Sequence, residues 1–494
     1  GLVVLGAGAF AAFRLLPEWQ PLAVTREEAL KVAREEMAAA GATLLEPKAR
    51  VRSTLSGGEI ERAYRLLGPG AAAWLATHSA LAAWSVSGTL RVPGVGIGPA
   101  EIAIARDGSF RRLEFTSGSV FRVASPSGPT EEARARFAAA VLERLARGEE
   151  VGPPVDFESG TTVVRVHALA GRREGPPEVV TRIAPASAML VLARELGDSD
   201  VGARYEKAIF RKLAISVPLF GTLGLLIAGL FGVLLFRRRL GFRIALALGA
   251  LGLAAMALSG SLFDLAGQRG IAAGAVVIVR ILMAVTLVGY WAVAESMLRD
   301  SVPGFRTSLD ALSSGRLSPQ LGRALLGGLG LGASVAGLRL LFASSVVASS
   351  VPGVLPEQPS FGLPPFDGIS SAFLDGPYTA ATLVLFAALF RFILPRERAD
   401  VLGAVCLALL GSLAHPYAPW GASLVLTLAE AAFLLLAFRR YGLTGLLVAA
   451  TAPALFRDLL ASLRFPSQLG APLLLAAAAL AALAWVGVAA SRQP

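Results

Sequence analysis

Nine apolar stretches recur along this chain, near residues 211–236, 244–263, 271–294, 322–348, 378–395, 401–414, 420–438, 442–461 and 469–490. A helix that crosses the hydrocarbon core of a bilayer needs about 20 apolar residues, within roughly 17 to 25. All but the 401–414 run reach that length. Backbone N–H and C=O groups inside lipid must be satisfied within the segment itself, so runs of this kind are predicted to be α-helices. The composition agrees: 54% of the 494 residues are hydrophobic and only 16% are charged. An earlier apolar run, Gly1 to Phe13, stops at Arg14 and reads as the second half of an N-terminal membrane anchor, with a signal-peptide remnant as the alternative. The expected fold is a polytopic α-helical membrane bundle of about nine C-terminal helices plus that anchor, carrying one extracytoplasmic α+β domain.

The basic residues give the expected orientation. They fall in alternate loops: Arg237, Arg238, Arg239 and Arg243; then Arg299, Arg306, Arg316 and Arg323; then Arg396 and Arg398; then Arg439 and Arg440; then Arg492 at the tail. Lys and Arg mark the cytoplasmic side of short loops. The long loop 351–376 carries Glu357, Asp367 and Asp375 and no Lys or Arg. This alternation runs through all nine stretches, the short one included, and puts residues 17–208 outside the cytoplasm, with the plasma (inner) membrane of a bacterium as the expected location. The formal charge of +11 is thereby assigned to helix orientation. No basic stripe with interleaved aromatics suggests nucleic acid.

The expected domains are 1–16, the partial anchor; 17–208, the α+β domain; 209–350, membrane helices; 351–376, an extracytoplasmic loop; and 377–494, further membrane helices. Within 17–208, Thr25-Arg26-Glu27-Glu28 has the form of a capping box. Leu30, Ala33, Met37 and Ala40 follow at helical spacing. A second helix is predicted from Thr130-Glu131-Glu132, with Phe137, Val141 and Leu145 on one face and Gly148 as its stop. Alternating runs at Ala82 to Val92, Glu101 to Ala105 and Thr161 to His167 predict strands, with Asp107-Gly108 as a hairpin turn. Two successive units of helix followed by strands suggest an internal duplication. His78 and His167 have no Cys, Ser nucleophile motif or carboxylate cluster around them in the sequence, and read as structural histidines. With one cysteine, Cys406, and three histidines, a Cys/His zinc cage cannot be assembled.

Charges within the membrane runs are costly and require partners or a function. Arg280, Arg339 and Glu430 are the three that fall inside helices, an intramembrane charge cluster whose simplest arrangement is an ion pair between Glu430 and one of the arginines. Asp264, Glu295 and Arg391 lie at helix ends, where solvent or headgroups are expected to reach them. The glycine-rich Gly327-Gly328-Leu329-Gly330-Leu331-Gly332 has no strand before it and reads as a close helix-packing surface, not a dinucleotide loop.

Two segments of the C-terminal part, Gly411-Ser412-Leu413-Ala414-His415-Pro416-Tyr417-Ala418-Pro419 and Phe438-Arg439-Arg440-Tyr441-Gly442-Leu443, carry a family likeness. From about Leu374 to Ser462 the chain resembles the CAAX protease and bacteriocin-processing (CPBP) family of intramembrane metalloproteases. The first segment is similar to that family's histidine segment and the second to the turn before its last catalytic helix. Asp198 to Lys212 is similar to the layout of larger bacterial members. The resemblance implies a zinc site built from a Glu-Glu-x-x-x-Arg helix, a first His, and a second His with an Asn or Asp four residues on. In register with His415, however, the glutamate pair falls on Thr382 and Leu383 and the arginine on Ala387. In register with Gly442, the second His falls on Ala450 or Thr451 and its partner on Ala454 or Leu455. Ala294-Glu295-Ser296-Met297-Leu298-Arg299 reads like the glutamate motif with its first Glu replaced, but stands far upstream. Only His415 matches a catalytic position.

The resemblance therefore implies a degenerate member without resident cofactor, acting as a binding or scaffold protein. Its expected ligands are prenyl groups, lipids or peptides, with a protein partner engaged through residues 17–208. The alternatives are an active intramembrane zinc endopeptidase, the one case that calls for zinc, and a small-solute transporter using Arg280, Arg339 and Glu430.

Overall fold

A computed structural model describes residues 1–15, 23–52, 83–116, 129–159, 162–170, 178–185, 189–196, 224–237, 243–258, 271–301, 316–348, 366–414, 420–464 and 470–492. The chain divides into two compact units, one comprising Gly1–Leu16, Ala214–Val346 and Gly353–Pro494, the other Pro17–Leu213 with Val347–Pro352.

In chain order, α1 (Leu2–Leu15) belongs to the first unit. The second unit opens with α2 (Arg26–Ala39), whose start is the predicted capping box: the Thr25 side chain accepts from the Glu28 backbone N–H, and the Glu28 carboxylate accepts from the Thr25 N–H at 2.7 Å. Strands β1 (Thr43–Arg52), β2 (Ala83–Val92), β3 (Gly96–Ile104) and β4 (Phe110–Thr116) follow, then α3 (Pro129–Ala146), then β5 (Glu150–Ser159), β6 (Thr162–Ala170), β7 (Glu178–Pro185) and β8 (Met189–Leu196). The eight strands form one antiparallel sheet in the order β1-β2-β3-β4-β8-β7-β6-β5. This order is a helix-plus-four-strand meander repeated, with the two copies joined along their last strands, Leu113 opposite Leu192. The β3–β4 connection turns at Gly108 (φ 84°), next to Asp107, whose carboxylate accepts from the Ser109 N–H. The core lies between sheet and helices: Ala33, Met37, Ile102, Leu113, Phe115, Phe137, Val141 and Leu192 are all buried.

The first unit continues with α4 (Gly224–Phe236), α5 (Arg243–Leu258), α6 (Ile271–Ser301), α7 (Pro319–Ala348), α8 (Phe366–Arg391), α9 (Arg396–Ala414), α10 (Trp420–Arg464) and α11 (Gly470–Ser491). Among the described residues three helical segments are long and apolar enough to cross a membrane: Pro319–Phe342, Ala372–Arg391 and Leu424–Arg457. Shorter apolar helices are Leu2–Ala11, Gly224–Phe236, Ile244–Ala254 and Ala476–Ser491. The outer surface of this unit is apolar, with Leu225, Phe236, Val285, Val425 and Trp485 exposed, the reverse of a water-facing surface.

α8 is the central helix: Ala380, Ala381, Leu383, Val384, Leu385, Ala387 and Ala388 are buried on all sides of it. It begins at Phe366, inside the stretch 351–376 expected to be loop. The apolar run read from residue 378 stops just short of Pro377, which α8 accommodates within the helix.

α10 is two helices. Gly442, at φ 68° and ψ −160°, breaks the 45-residue helix, in a region of backbone space that is essentially confined to glycine and costs other residues on the order of 1–3 kcal/mol. Contacts with α7 show that the arms fold back on each other. Gly327 lies against Tyr441 and Arg339 against Glu430, so the first arm runs antiparallel to α7. Gly328 lies against Val448 and Gly332 against Ala452, so the second arm runs parallel to it. Parallel contacts Thr286–Tyr378 and Tyr290–Thr382 align α6 with α8. Antiparallel contacts join α8 to α9 (Ala387–Gly403, Arg391–Asp400), α9 to the first arm of α10 (Ala408–Thr427, Glu397–Arg439) and α7 to α11 (Gly322–Ser491, Leu326–Gly487). From α6 to α11 each helix therefore reverses the direction of the one before, with α10 counted as two.

Candidate functional site

Glu430 is twelve residues before the Gly442 break, about 18 Å along a helix and thus within the roughly 30 Å of a hydrocarbon core. A carboxylate at that depth needs a cation. The small residues of α7 allow the first arm of α10 to approach closely, and Arg339 supplies the charge: its Nε donates to Glu430 Oε1 at 2.6 Å and its Nη2 to Oε2 at 2.9 Å. This is a bidentate fork in which both carboxylate oxygens are engaged by one guanidinium. Glu430 is 11% exposed at the side chain and Arg339 36%. Such a pair neutralises its own charge and ties two helices. Arg280 lies on α6, and its side chain is outside the described residues, as is His415, which follows the last residue of α9.

A second polar group lies between α6 and α8. The Tyr290 hydroxyl donates to Thr382 Oγ1 at 2.8 Å, Thr382 donates to the Tyr378 carbonyl at 2.7 Å, and the Tyr378 and Thr286 hydroxyls are 2.5 Å apart. Thr382 is a position where the CPBP resemblance places a glutamate. The neighbouring positions are closely packed. Leu383 and Ala387 are fully buried, and a Cβ on Gly403 would meet the Ala387 backbone. Thr451 lies against Gly376, and its hydroxyl donates to the Leu447 carbonyl within its own helix.

The third group was missed by sequence reasoning. Asp400, 1% exposed, accepts from Arg391 at 2.6 Å and faces Arg439 Nε at 3.5 Å, while Arg391 also stacks over Phe438. Arg391 had been assigned to a solvent-accessible helix end; its side chain is 5% exposed. Glu295 is corrected in the same way: its side chain is 2% exposed and accepts from Trp291 Nε1 at 3.1 Å and Arg299 Nη2 at 3.2 Å. Neighbouring helices cover these ends, which the pattern of one helix does not reveal. The available signal was the charge pairing across the short Arg391 to Asp400 turn.

In the sheet unit, Glu178 is buried between two guanidiniums, Arg111 at 3.2 Å and Arg194. Arg194 also donates to the Leu145 and Ala146 carbonyls at the end of α3 and to Glu149. His167 Nδ1 is 3.3 Å from the Gly152 carbonyl. His78 lies outside the described residues.

No family model, curated protein or solved structure matches this chain. Among the described residues no three His, Cys, Asp or Glu side chains gather. The hydroxyl and alkyl side chains at 382, 383, 450, 451, 454 and 455, the positions where the resemblance places zinc ligands and their partners, are not zinc donors and do not fit that metal.

Proposed function

We propose that this chain is a degenerate CPBP-like protein of the bacterial plasma membrane that acts by binding and not by proteolysis. The observation that carries this reading is the chemistry at Thr382, Leu383 and Ala387. An activated water needs a carboxylate there, whereas these side chains are committed to helix packing and to the Tyr290–Thr382–Tyr378 hydroxyl chain. Nothing at those positions can hold zinc or move a proton to a peptide. In this reading the bundle takes prenyl, lipid or peptide ligands, and residues 17–208 engage a protein partner outside the cytoplasm.

The orientation is supported by the alternation of helix directions. The end of α6, the start of α7, the α8–α9 turn, the Gly442 break and the end of α11 lie at one end of the helical unit. These are the points that carry Arg299, Arg316, Arg323, Arg396, Arg398, Arg439, Arg440 and Arg492. One basic end is the arrangement of a cytoplasmic face. The transporter alternative needs charges facing an aqueous path, whereas Arg339 and Glu430 face each other.

The test is the metal content of full-length protein purified in detergent, wild type beside His415→Ala. Zinc far below one ion per chain in both samples is expected. One zinc per chain in the wild type, lost in His415→Ala, would restore the endopeptidase.

A further inference from the structure

In the sheet unit, two pairs of arginines oppose each other across neighbouring strands, and only in one pair does a carboxylate of the chain contact both guanidiniums. Continuing the β4–β8 register one residue past Arg112↔Ala193 sets Arg111 opposite Arg194. Like charges in that position repel, and the chain places the Glu178 carboxylate against both. The second pair is Arg165 and Arg182, directly opposite on β6 and β7. Asp156, opposite Arg165 on β5, binds the Arg165 fork at 2.6 and 2.7 Å. Asp156 is thus on the far side of Arg165 from Arg182. Arg182 is partly buried, and among the described residues its Nε, shielded from solvent, has no hydrogen-bond partner. A cationic donor left in that state carries a desolvation penalty that no hydrogen bond at Nε offsets.

We propose that the Arg165–Arg182 pair is a binding site for an oxyanion, a carboxylate or phosphoryl group, that does for this pair what Glu178 does for the other. Asp156 already neutralises Arg165, so the site holds one excess positive charge and suits a singly charged anion. A planar guanidinium presents its donors as a fork, which fits two oxygens of one anion. The row is open at its outer members, Arg165 being 25% and Asp156 40% exposed at the side chain, with the half-buried Arg182 beside them. His167, two residues along β6 on the same face, flanks it. This inference rests on the sheet unit alone and stands whether or not the bundle is a degenerate protease.

The test uses full-length protein in an uncharged detergent, titrated by calorimetry with sodium phosphate, sodium acetate and a soluble short-chain phosphatidylglycerol, using sodium chloride as the ionic-strength control. Saturable binding of at least one of the three is expected. Arg182→Gln should weaken it roughly ten- to hundredfold, the loss of a charged hydrogen bond. Arg112→Gln, on the opposite face of the sheet, should leave it unchanged. Tighter binding of the lipid than of phosphate would identify a headgroup as the source, and equal or tighter binding of phosphate or acetate a free anion. No saturable binding by the wild type overturns the proposal, and so does a folded Arg182→Gln protein that binds as the wild type does. If Arg182→Gln fails to fold, Arg182→Lys replaces it: retained but weakened binding supports the site, and unweakened binding overturns it.

Discussion

Glu178 shows how a charge is kept inside this protein. Burial disfavours its carboxylate, but Arg111 and Arg194 outweigh that and hold its pKa below the ordinary 4.5. The folded state thus binds fewer protons than the unfolded one, so this contribution is present above about pH 4.5 and is lost as pH falls through the lowered value. Removing the carboxylate leaves two buried guanidiniums facing each other. Glu178→Gln is therefore expected to destabilise the sheet unit by about 3–5 kcal/mol, read as faster hydrogen exchange in β4, β7 and β8 of the full-length protein. His167 shifts in the same direction for a different reason. Burial, with Arg165 and Arg182 adding, pushes it below its ordinary 6.5 against the opposing Gly152 carbonyl and Asp156. Folding thus favours its neutral form, so its contribution is present above about pH 6.5 and declines as pH falls through the lowered pKa. His167→Asn should flatten the pH dependence of hydrogen exchange in β6 between about pH 7 and 5; an unchanged slope would count against this assignment. In the helical unit, Glu430→Gln leaves Arg339 without its fork. Arg339 is about one-third exposed, so the expected loss is reduced to about 1–3 kcal/mol. Replacing both residues by Met should recover most of it, measured as thermal unfolding in detergent.

At the element scale, glycine contacts separate close packing from simple flexibility. A Cβ at Gly327 would enter the Tyr441 ring, whereas one at Gly330 meets nothing within 4 Å. Gly327→Ala should lower the unfolding temperature in detergent. Gly330→Ala should leave it unchanged or raise it, since Ala in a helix interior is favoured by about 1 kcal/mol. Equal effects would mean that the glycine-rich face of α7 is not the packing surface described above. The sequence showed that face, the capping box of α2, the Asp107–Gly108 turn and the break at Gly442, because each depends on residues close together in the chain. It did not show that α8 starts at Phe366, since an internal proline looks like a boundary until neighbouring helices hold the residues on either side of it.

For the whole molecule, orientation is the claim to test. A Cys406→Ser background with a single new cysteine at Ser159 should react with a membrane-impermeant thiol reagent on intact cells. A cysteine at Arg440 should react only after lysis. The reverse pattern would invert the topology. The alternation of basic loops and apolar runs was legible because bilayer thickness and the charge rule act on composition alone. The choice of Arg339 as the partner of Glu430, the burial of Asp400 and Glu295, and the joining of two meanders at β4–β8 were not, because each depends on which elements become neighbours. By itself the sequence determined that apolar helices and a separate helix-and-strand unit must form, since hydrophobic length and local hydrogen bonding dictate both. Only the tertiary structure decided which charges are neutralised by a partner and which, like Arg182 Nε, are shielded from solvent without a hydrogen bond among the described residues, because electrostatic satisfaction is a property of distances between elements and not of order along the chain.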